Sequence, residues 1–417
     1  MRVLVVTQYF WPETFRINEL ATMLVARGHQ VTVLTGVPNY PSGELFPEYV
    51  MSPRAFDRFG DIDVVRVPMI RRGTSRLRLV LNYFSFAASA SFFGPVRLRG
   101  RPFDVIFTYE PSPITVGIPA AVLRRTTSAR SCLWILDLWP ETPRALGMLP
   151  VRPLVALVEW MVRRIYRATD LLLVQSPGFV EAVRGYAGQK ARIEYFPSWA
   201  DAVFDAELPA LAPEVPLASG SFDIVFAGNI GEAQDFGTIL DAAQLLRDRP
   251  DVRFVVVGDG RQLPWVASEV ARRGLASTVL LVGRHPVERM PEFFAHADAL
   301  LVCLRPDDVF AMTIPAKVQA YMASGKPIIA VLDGEGADAV RRWECGVVVR
   351  PGDGSGLARA VAALSDADER ERARMGENGR NGALVEFNRD VLVDRLESWL
   401  LELSGATRPV EPNVEAS

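Results

Sequence analysis

The sequence predicts an α/β protein built from two Rossmann-like halves, and three stretches carry that prediction. Residues 3–6 are a short β-branched run, followed by a loop (7–15), a helical pattern and a second such run at 31–34. Residues 223–227 open a second series of the same kind. Within it lies 300–332, LLVCLRPDDVFAMTIPAKVQAYMASGKPIIAVL. Here an apolar run ends at Leu304, a polar loop covers 305–313, and Pro315 opens a helix over 316–323. Ser324 to Pro327 stop that helix, and a further buried run occupies 328–332. In such a βαβ unit ligands sit at the carboxyl end of the strand, and the helix N-terminus favours an anion.

Taken in order, 3–6 reads as a buried strand. Ile17, Leu20, Ala21, Leu24 and Val25 then recur at helical spacing until Gly28. Residues 36–49, rich in Pro, Gly and Tyr, read as a loop. Strands follow at 62–67, 105–108, 131–136 and 171–175, with helical segments between them. Residues 199–220 are rich in Ala, Pro and acids with weak periodicity and read as a linker. The second series has strands at 223–227, 253–257, 279–282, 299–304, 328–332 and 346–349, and a helix at 236–247. Gly228-Asn229-Ile230-Gly231, Gly258-Asp259-Gly260 and Gly283 follow its first three strands. From Asp366 the pattern is helical, with a charged piece to Arg380 and an apolar-spaced piece at 385–403. This gives an N-terminal domain over 1–200, a second domain over 221–384 followed by the helical piece 385–403, and a disordered tail at 405–417.

Composition narrows the function. A chain of 417 residues accommodates two ordinary domains, and a formal net charge of -3 supplies no general attraction to nucleic acid. Cys132, Cys303 and Cys345 are widely separated, as are His29, His285 and His296, so no metal-ligand spacing is present. The cysteines suit a reducing compartment. The first strand is not followed by the G-x-G-x-x-G fingerprint, which disfavours a dinucleotide cofactor. The N-terminus, MRVLVVTQYFWPE, reads as a strand and not as a signal peptide. The longest apolar stretch, 79–96, contains Asn82 and several Ser and Gly, which make it a poor membrane span. Between 64 and 103 there is no Asp or Glu. Arg66, Arg71, Arg72, Arg76 and Arg78 precede LVLNYFSFAASASFFGPV, and Arg97, Arg99 and Arg101 follow its end. Such a pattern suits an anionic membrane surface, and equally a buried helix with a solvated basic rim.

The segments Gly228-Asn229-Ile230-Gly231-Glu232, Val257-Gly258-Asp259-Gly260 and 317–327 resemble the retaining GT-B glycosyltransferases of family 4. Gln8-Tyr9-Phe10-Trp11-Pro12-Glu13, Asn39-Tyr40-Pro41 and Asp137-Leu138-Trp139-Pro140-Glu141 are similar to the bacterial O-antigen and capsule branch that includes N-acetyl-L-fucosamine transferases. The resemblance runs from Met1 to about Leu403. It implies a GT-B fold, two Rossmann-like domains facing a cleft, with the helix 385–403 crossing back to complete the first. It also implies a nucleoside-diphosphate sugar, UDP by preference, on the C-terminal domain, and a lipid-linked or saccharide acceptor on the N-terminal one. A polyprenyl-diphosphate-linked saccharide is the usual acceptor. The setting it implies is cell-surface polysaccharide synthesis in the cytoplasm, peripheral at the inner face of the cell membrane, with no cofactor and no metal.

Each part of such a donor needs its own partner. Gly228, Asn229, Ile230 and Gly231 sit between strand and helix, where small residues let backbone N–H groups approach phosphate. Lys317 adds a point charge. Arg284 and His285 follow a strand end, beside the base. Asp308, with Asp307, is placed to accept from sugar hydroxyls, and Thr313, Ile314 and Ala316 offer backbone donors. The bland readings are a tight βα turn, a surface lysine and a surface loop. On the acceptor side, Glu13 and Arg16 belong to the first βα loop, and Asn39 and Tyr40 to the cleft. Asp137 and Glu141 occupy a loop where many relatives carry a His that is absent here. With Glu13 they are the candidate catalytic acids, steering an acceptor hydroxyl; a helix cap is the alternative for Asp137. His296 reads as structural.

The chain also departs from the family pattern. Asn229 and Gln234 stand where an Arg and a Lys are common, and the two carboxylates of the E-x7-E motif fall on Met312 and Ala320. Two other readings share the fold: a non-hydrolysing sugar-nucleotide epimerase, and a catalytically silent nucleotide-sugar-binding partner. An NAD-dependent oxidoreductase lacks its fingerprint.

Overall fold

Strand β1 (Arg2–Val6) pairs in parallel with β2 (Gln30–Thr35) on one side and with β5 (Val105–Glu110) on the other, so that Val3 faces both Val31 and Val105. The remaining strands of this sheet are β3 (Arg58–Phe59), β4 (Ile62–Arg66), β6 (Arg130–Ile135), β7 (Leu171–Val174) and β8 (Ile193–Tyr195). Their order is β3-β4-β2-β1-β5-β6-β7-β8, and among the described residues only the edge strand β3 runs antiparallel. Central strands are apolar nearly throughout because helices cover both faces. Leu4, Val6, Leu34 and Ile106 pack with Phe86 and Ala90 of the helix Arg76–Arg97 and with Ala120 and Leu123 of the helix Gly117–Thr127.

The computed structural model describes residues 1–73, 75–145, 147–149, 151–205 and 210–406. The chain divides into two units, Met1–Pro197 with Asp390–Ser417, and Ser198–Arg389. The second holds a wholly parallel six-stranded sheet of β9 (Phe222–Ala227), β10 (Val252–Val257), β11 (Val279–Gly283), β12 (Ala299–Cys303), β13 (Ile328–Val331) and β14 (Gly346–Val349). Its order, β11-β10-β9-β12-β13-β14, reverses direction between β9 and β12. The first sheet reverses between β1 and β5. In open α/β sheets such switch points are where ligands bind.

Several sequence expectations shift. Residues 199–220 are not a free linker. Trp199, Ala212 and Val215 are buried, the Ala212 N–H donates to the Glu292 carbonyl at 3.3 Å, and Arg289 pairs with Glu214 at 2.6 Å. Apolar burial straps this segment to the second unit; residues 206–209 lie outside the described residues.

The helical piece expected at 385–403 is interrupted. One helix, Glu369–Glu386, ends at buried Phe387, and the last helix begins after Asn388, a residue type that favours helix starts. That last helix, Arg389–Ser404, buries Leu392, Val393, Leu396 and Leu400 in the first unit. There the ring of His29 meets the Glu397 carboxylate at 2.8 Å, both buried, and Arg192 donates to Glu402 at 2.9 Å. The expected tail falls, from 407 onward, outside the described residues.

The apolar stretch 79–96 lies within the helix Arg76–Arg97. Leu77–Arg97 has the length and composition to cross a membrane, but Asn82, Phe86 and Ala90 are buried in the first unit. The amide Nδ2 of Asn82 donates to the Ile70 carbonyl at 2.7 Å, and its Oδ1 accepts from Gln8 at 2.7 Å. Of the arginines in this region, the side chain of Arg76 lies outside the description.

Candidate active site

In the second unit the site is assembled at the carboxyl ends of β9 and β12. The loop after β9 is drawn to the loop after β12, because the Arg305 N–H donates to the Ala233 carbonyl at 2.9 Å. Gly228 has φ +134°, and a Cβ there would stand 2.7 Å from Lys317 Cε. Its missing side chain is what admits the lysine. Gly258 is required for a similar reason, since a Cβ would stand 1.8 Å from the Gly228 carbonyl oxygen.

Lys317 lies in the first turn of the helix Ala316–Ser324, entered at Pro315 and closed by Gly325 in the left-handed conformation at φ +70°. Its ammonium sits 3.6 Å from the centre of the Phe226 ring. Among the described residues no carboxylate pairs with it. Desolvation lowers its pKa to about 7, opposed weakly by Cys303. A half-buried cation without an acid, beside a helix N-terminus, is a seat for an anion.

Most of the backbone donors expected in 228–231 are already spent. The N–H of Gly228 donates to the Val257 carbonyl at 2.8 Å, that of Ile230 to the Asp259 carbonyl at 2.8 Å, and that of Gly231 to Gln234 Oε1 at 3.1 Å. Ile230 is itself a core residue. Asn229 Nδ2 also donates to Gln234 Oε1, at 3.3 Å. The loop is therefore organised by Gln234, and positive charge comes from Lys317.

Gly228 and Asn229 line a cavity of about 460 Å3 with Asp259, Arg284 and His285. His285 is held by its surroundings: Arg289 Nη1 lies 3.3 Å from its Nδ1, and its ring lies 4.7 Å from that of Phe293. Asp308 lines a separate cavity of about 400 Å3 with Arg305, Asp307 and Asp333. Asp307 caps the short helix Asp308–Ala311 by accepting from the Val309 N–H at 2.9 Å. Thr313 is not an available donor, since its N–H goes to the Phe310 carbonyl and its hydroxyl to the Val309 carbonyl. Ile314 is buried. His296 accepts a structural place, with Nε2 2.9 Å from the Ala212 carbonyl.

In the first unit the expected residues gather at the carboxyl ends of β1, β2, β5 and β6. Glu13 is buried and accepts from the N–H groups of Tyr40 at 2.7 Å, Asn39 at 2.8 Å and Phe10 at 3.2 Å. Burial raises its pKa to about 7 against those hydrogen bonds. Its geometry is that of a clasp joining two loops. Arg16 is the first residue of the helix Arg16–Ala26, not a loop residue, and donates to Glu19 at 2.8 Å. Asn39 is buried and accepts from the Arg72 N–H at 2.7 Å. Tyr40 is partly exposed against Tyr9 and Phe15, with the Arg72 guanidinium 5.2 Å from its ring centre.

Asp137 accepts from Trp139 Nε1 at 3.2 Å; burial raises its pKa, opposed by bonds from Thr142, Ser112 and Trp139. Glu141 opens the helix Glu141–Ala145 and accepts from the Tyr186 hydroxyl at 2.7 Å. One carboxylate that no motif singles out belongs to the same place. Glu110, the last residue of β5, is fully buried, and neither carboxylate oxygen makes a hydrogen bond of ordinary geometry, though the backbone of Asp137, Ser112 and Leu136 lies near it. Burial first, then the neighbouring Asp137, hold its pKa well above the carboxylate range. Its signal in the sequence is an acid closing an apolar parallel strand, VIFTYE. Among the described residues no group of three His, Cys, Asp or Glu is placed to hold a metal ion.

Comparison with known proteins agrees with this architecture. The family described as Glycosyl transferase 4-like domain matches residues 14–199, and that described as Glycosyl transferases group 1 matches residues 221–367. Over 340 residues the chain is 26% identical to WcaI of Escherichia coli (strain K12), named as a glycosyl transferase of colanic acid biosynthesis. That match covers 78% of this chain and 82% of WcaI. It is 25% identical to WbjE of Pseudomonas aeruginosa, named as a glycosyltransferase, over 65% of this chain and 68% of WbjE. Among solved structures, Anabaena HepE in complex with UDP superposes with a TM-score of 0.67 at 14% identity, covering 96% of this chain and 100% of HepE. With a 4-like domain and a group 1 domain that together span most of its length, the chain belongs to the glycosyltransferases of GT-B fold.

Proposed function

We propose that the protein moves a sugar, with retention, from a UDP-linked donor to a polyprenyl-diphosphate-linked saccharide in cell-surface polysaccharide synthesis, working at the inner face of the cell membrane. The observation that carries this reading is Lys317, a half-buried cation with no described acid partner at the switch point of the second sheet. The naming of WcaI for colanic acid biosynthesis supports the polysaccharide setting. UDP in the HepE structure supports the choice of nucleotide. The branch motifs make UDP-N-acetyl-L-fucosamine the first donor to test.

In this reading Lys317 and the first turn of its helix hold the diphosphate, and Arg284 and His285 flank the base. The bond from sugar C1 to the diphosphate oxygen breaks. The acceptor hydroxyl oxygen bonds to C1 on the face the diphosphate leaves, and the hydroxyl proton passes to the departing phosphate oxygen. No protein base is required. Asp137, held by Trp139, orients the acceptor hydroxyl, while Glu13 fixes the loops that carry Asn39 and Tyr40. No resident cofactor or metal takes part.

Incubation with UDP-, GDP- and dTDP-sugars, with and without a polyprenyl-diphosphate saccharide, tests it. Transfer to the lipid saccharide with the anomeric configuration kept is the expected result. Conversion of donor without acceptor would mean an epimerase. Binding with neither outcome would mean a silent partner, the reading that Met312 and Ala320 in place of carboxylates favour.

A further inference from the structure

The first unit carries an apolar groove that is not part of the donor site. Three helices, Arg76–Arg97, Gly117–Thr127 and Arg152–Arg167, enclose an open groove of about 860 Å3. Its walls include Val80, Phe84, Ile118, Leu154, Leu157 and Trp160. Several of these are exposed large hydrophobics: Trp160 is 59% exposed, Leu157 57% and Phe84 49%. A contiguous apolar surface of this kind left in water marks a site of contact.

Two further features select its occupant. Arg124, Arg125, Arg164 and Arg167 also line the groove, whereas among the described residues no Asp or Glu does. Arg124 is engaged by Asp170, but Arg125, Arg164 and Arg167 are exposed and form no ion pair with described residues. Tyr83 and Trp139 are also in the wall. Trp139 donates to Asp137, and the Tyr83 hydroxyl lies in the field of Arg72 and Asp137. All three helices start near the carboxyl edge of the sheet and carry their C-terminal arginines away from it. The groove therefore runs from the acceptor loop, past an apolar wall, to a basic end. A neutral hydrocarbon would leave the arginines without a role, and a free saccharide would leave the apolar wall wet.

We propose that the groove between these helices holds the hydrocarbon chain of an isoprenoid diphosphate, the lipid part of the acceptor. The diphosphate lies at the Tyr83–Trp139 end beside Arg72, the attached saccharide reaches Asp137, and the chain leaves over Arg164 and Arg167 towards anionic headgroups. This rests on the lipid-linked acceptor proposed above and deepens it by giving the lipid a seat.

The probe is dansyl-labelled farnesyl diphosphate, titrated into the full-length protein without detergent. Saturable binding is expected, displaced by unlabelled farnesyl diphosphate but not by inorganic pyrophosphate or by dihexanoyl phosphatidylglycerol. Ala121→Trp, which fills the groove, weakens binding roughly tenfold, since the chain loses apolar contact area. Leu157→Gln, an exposed position that spares folding, weakens it about threefold for the same reason. Both variants bind UDP as the wild type does, and circular dichroism melts verify their fold. Absence of saturable binding, equal displacement by the phosphatidylglycerol, or indifference to both substitutions overturns the proposal. Failure of the farnesyl probe with UDP binding intact condemns the groove alone; failure of UDP binding condemns the donor reading and leaves the groove standing.

Discussion

Lys317 shows how one residue is set by its neighbours. Its place after Pro315 and before Gly325 is visible in the sequence, so a cation at a helix start is legible there. What the sequence hides is the space made by Gly228 and the Phe226 ring beneath the ammonium, because those residues come from another strand. Equally hidden is which loop amides are spent: Ile230 bonds to Asp259 across two strands, and only the pairing of β9 with β10 brings them together. Lys317→Ala is expected to weaken UDP binding by about 1.5 to 3 kcal/mol, the contribution of a charge-assisted hydrogen bond, measured by calorimetry. Glu13 supplies a pH prediction. Its pKa is raised to about 7 in the folded state, so the native protein binds more protons than the unfolded chain. Stability from this group is present below the ordinary glutamate pKa and is lost as pH rises through about 7. Glu110 and Asp137, also raised, act with the same sign. Glu13→Gln is expected to flatten part of the fall in denaturation midpoint between pH 4.5 and 7, and an unaltered slope would show that its carboxyl is not buried as described.

Among elements, the helix Arg76–Arg97 is where sequence reading is most ambiguous. Its length and composition fit a membrane span, a surface-seeking helix or a core helix. The polar residue Asn82 decides between them, because it is fully buried and bonded to Gln8 and Ile70. The remaining exposed apolar face is then available as a groove wall. Asn82→Leu takes away the partner of the buried Gln8 amide, which costs about 1 to 3 kcal/mol, and thermal melting should show a correspondingly lower midpoint. Strands were the most legible elements, since parallel strands buried on both faces read as apolar runs. The short strands Arg58–Phe59 and Ile193–Tyr195 escape notice because edge pairing leaves little compositional mark. The strap at 210–220 escapes because its few anchors, Ala212 and Val215, are small and widely spaced.

At the scale of the molecule, both sheets reverse direction, the first between β1 and β5 and the second between β9 and β12, and each gathers candidate residues at that reversal. The repeat of βαβ patterns makes this architecture readable from sequence alone. The return of the last helix to the first unit is not readable from periodicity, which says only that the helix is amphipathic; the family resemblance supplied that expectation. Leu396→Ala, at a fully buried position of that helix, is expected to destabilise by about 2 to 5 kcal/mol and to leave UDP binding by the folded protein unchanged. Sugar transfer should persist in EDTA, and loss restored by added Mg2+ would refute the metal-free mechanism.

The central claim, a nucleotide-sugar donor seated by its diphosphate on Lys317, is tested most directly by calorimetric titration of UDP at pH 8 in two buffers of different ionisation enthalpy. The free lysine, lowered to about 7, is mostly neutral at that pH, and a bound diphosphate restores its proton. The wild type is predicted to take up close to one proton per UDP bound. Lys317→Met should take up almost none and bind roughly 10- to 100-fold more weakly. Equal affinity and equal proton balance in the two proteins would contradict the account.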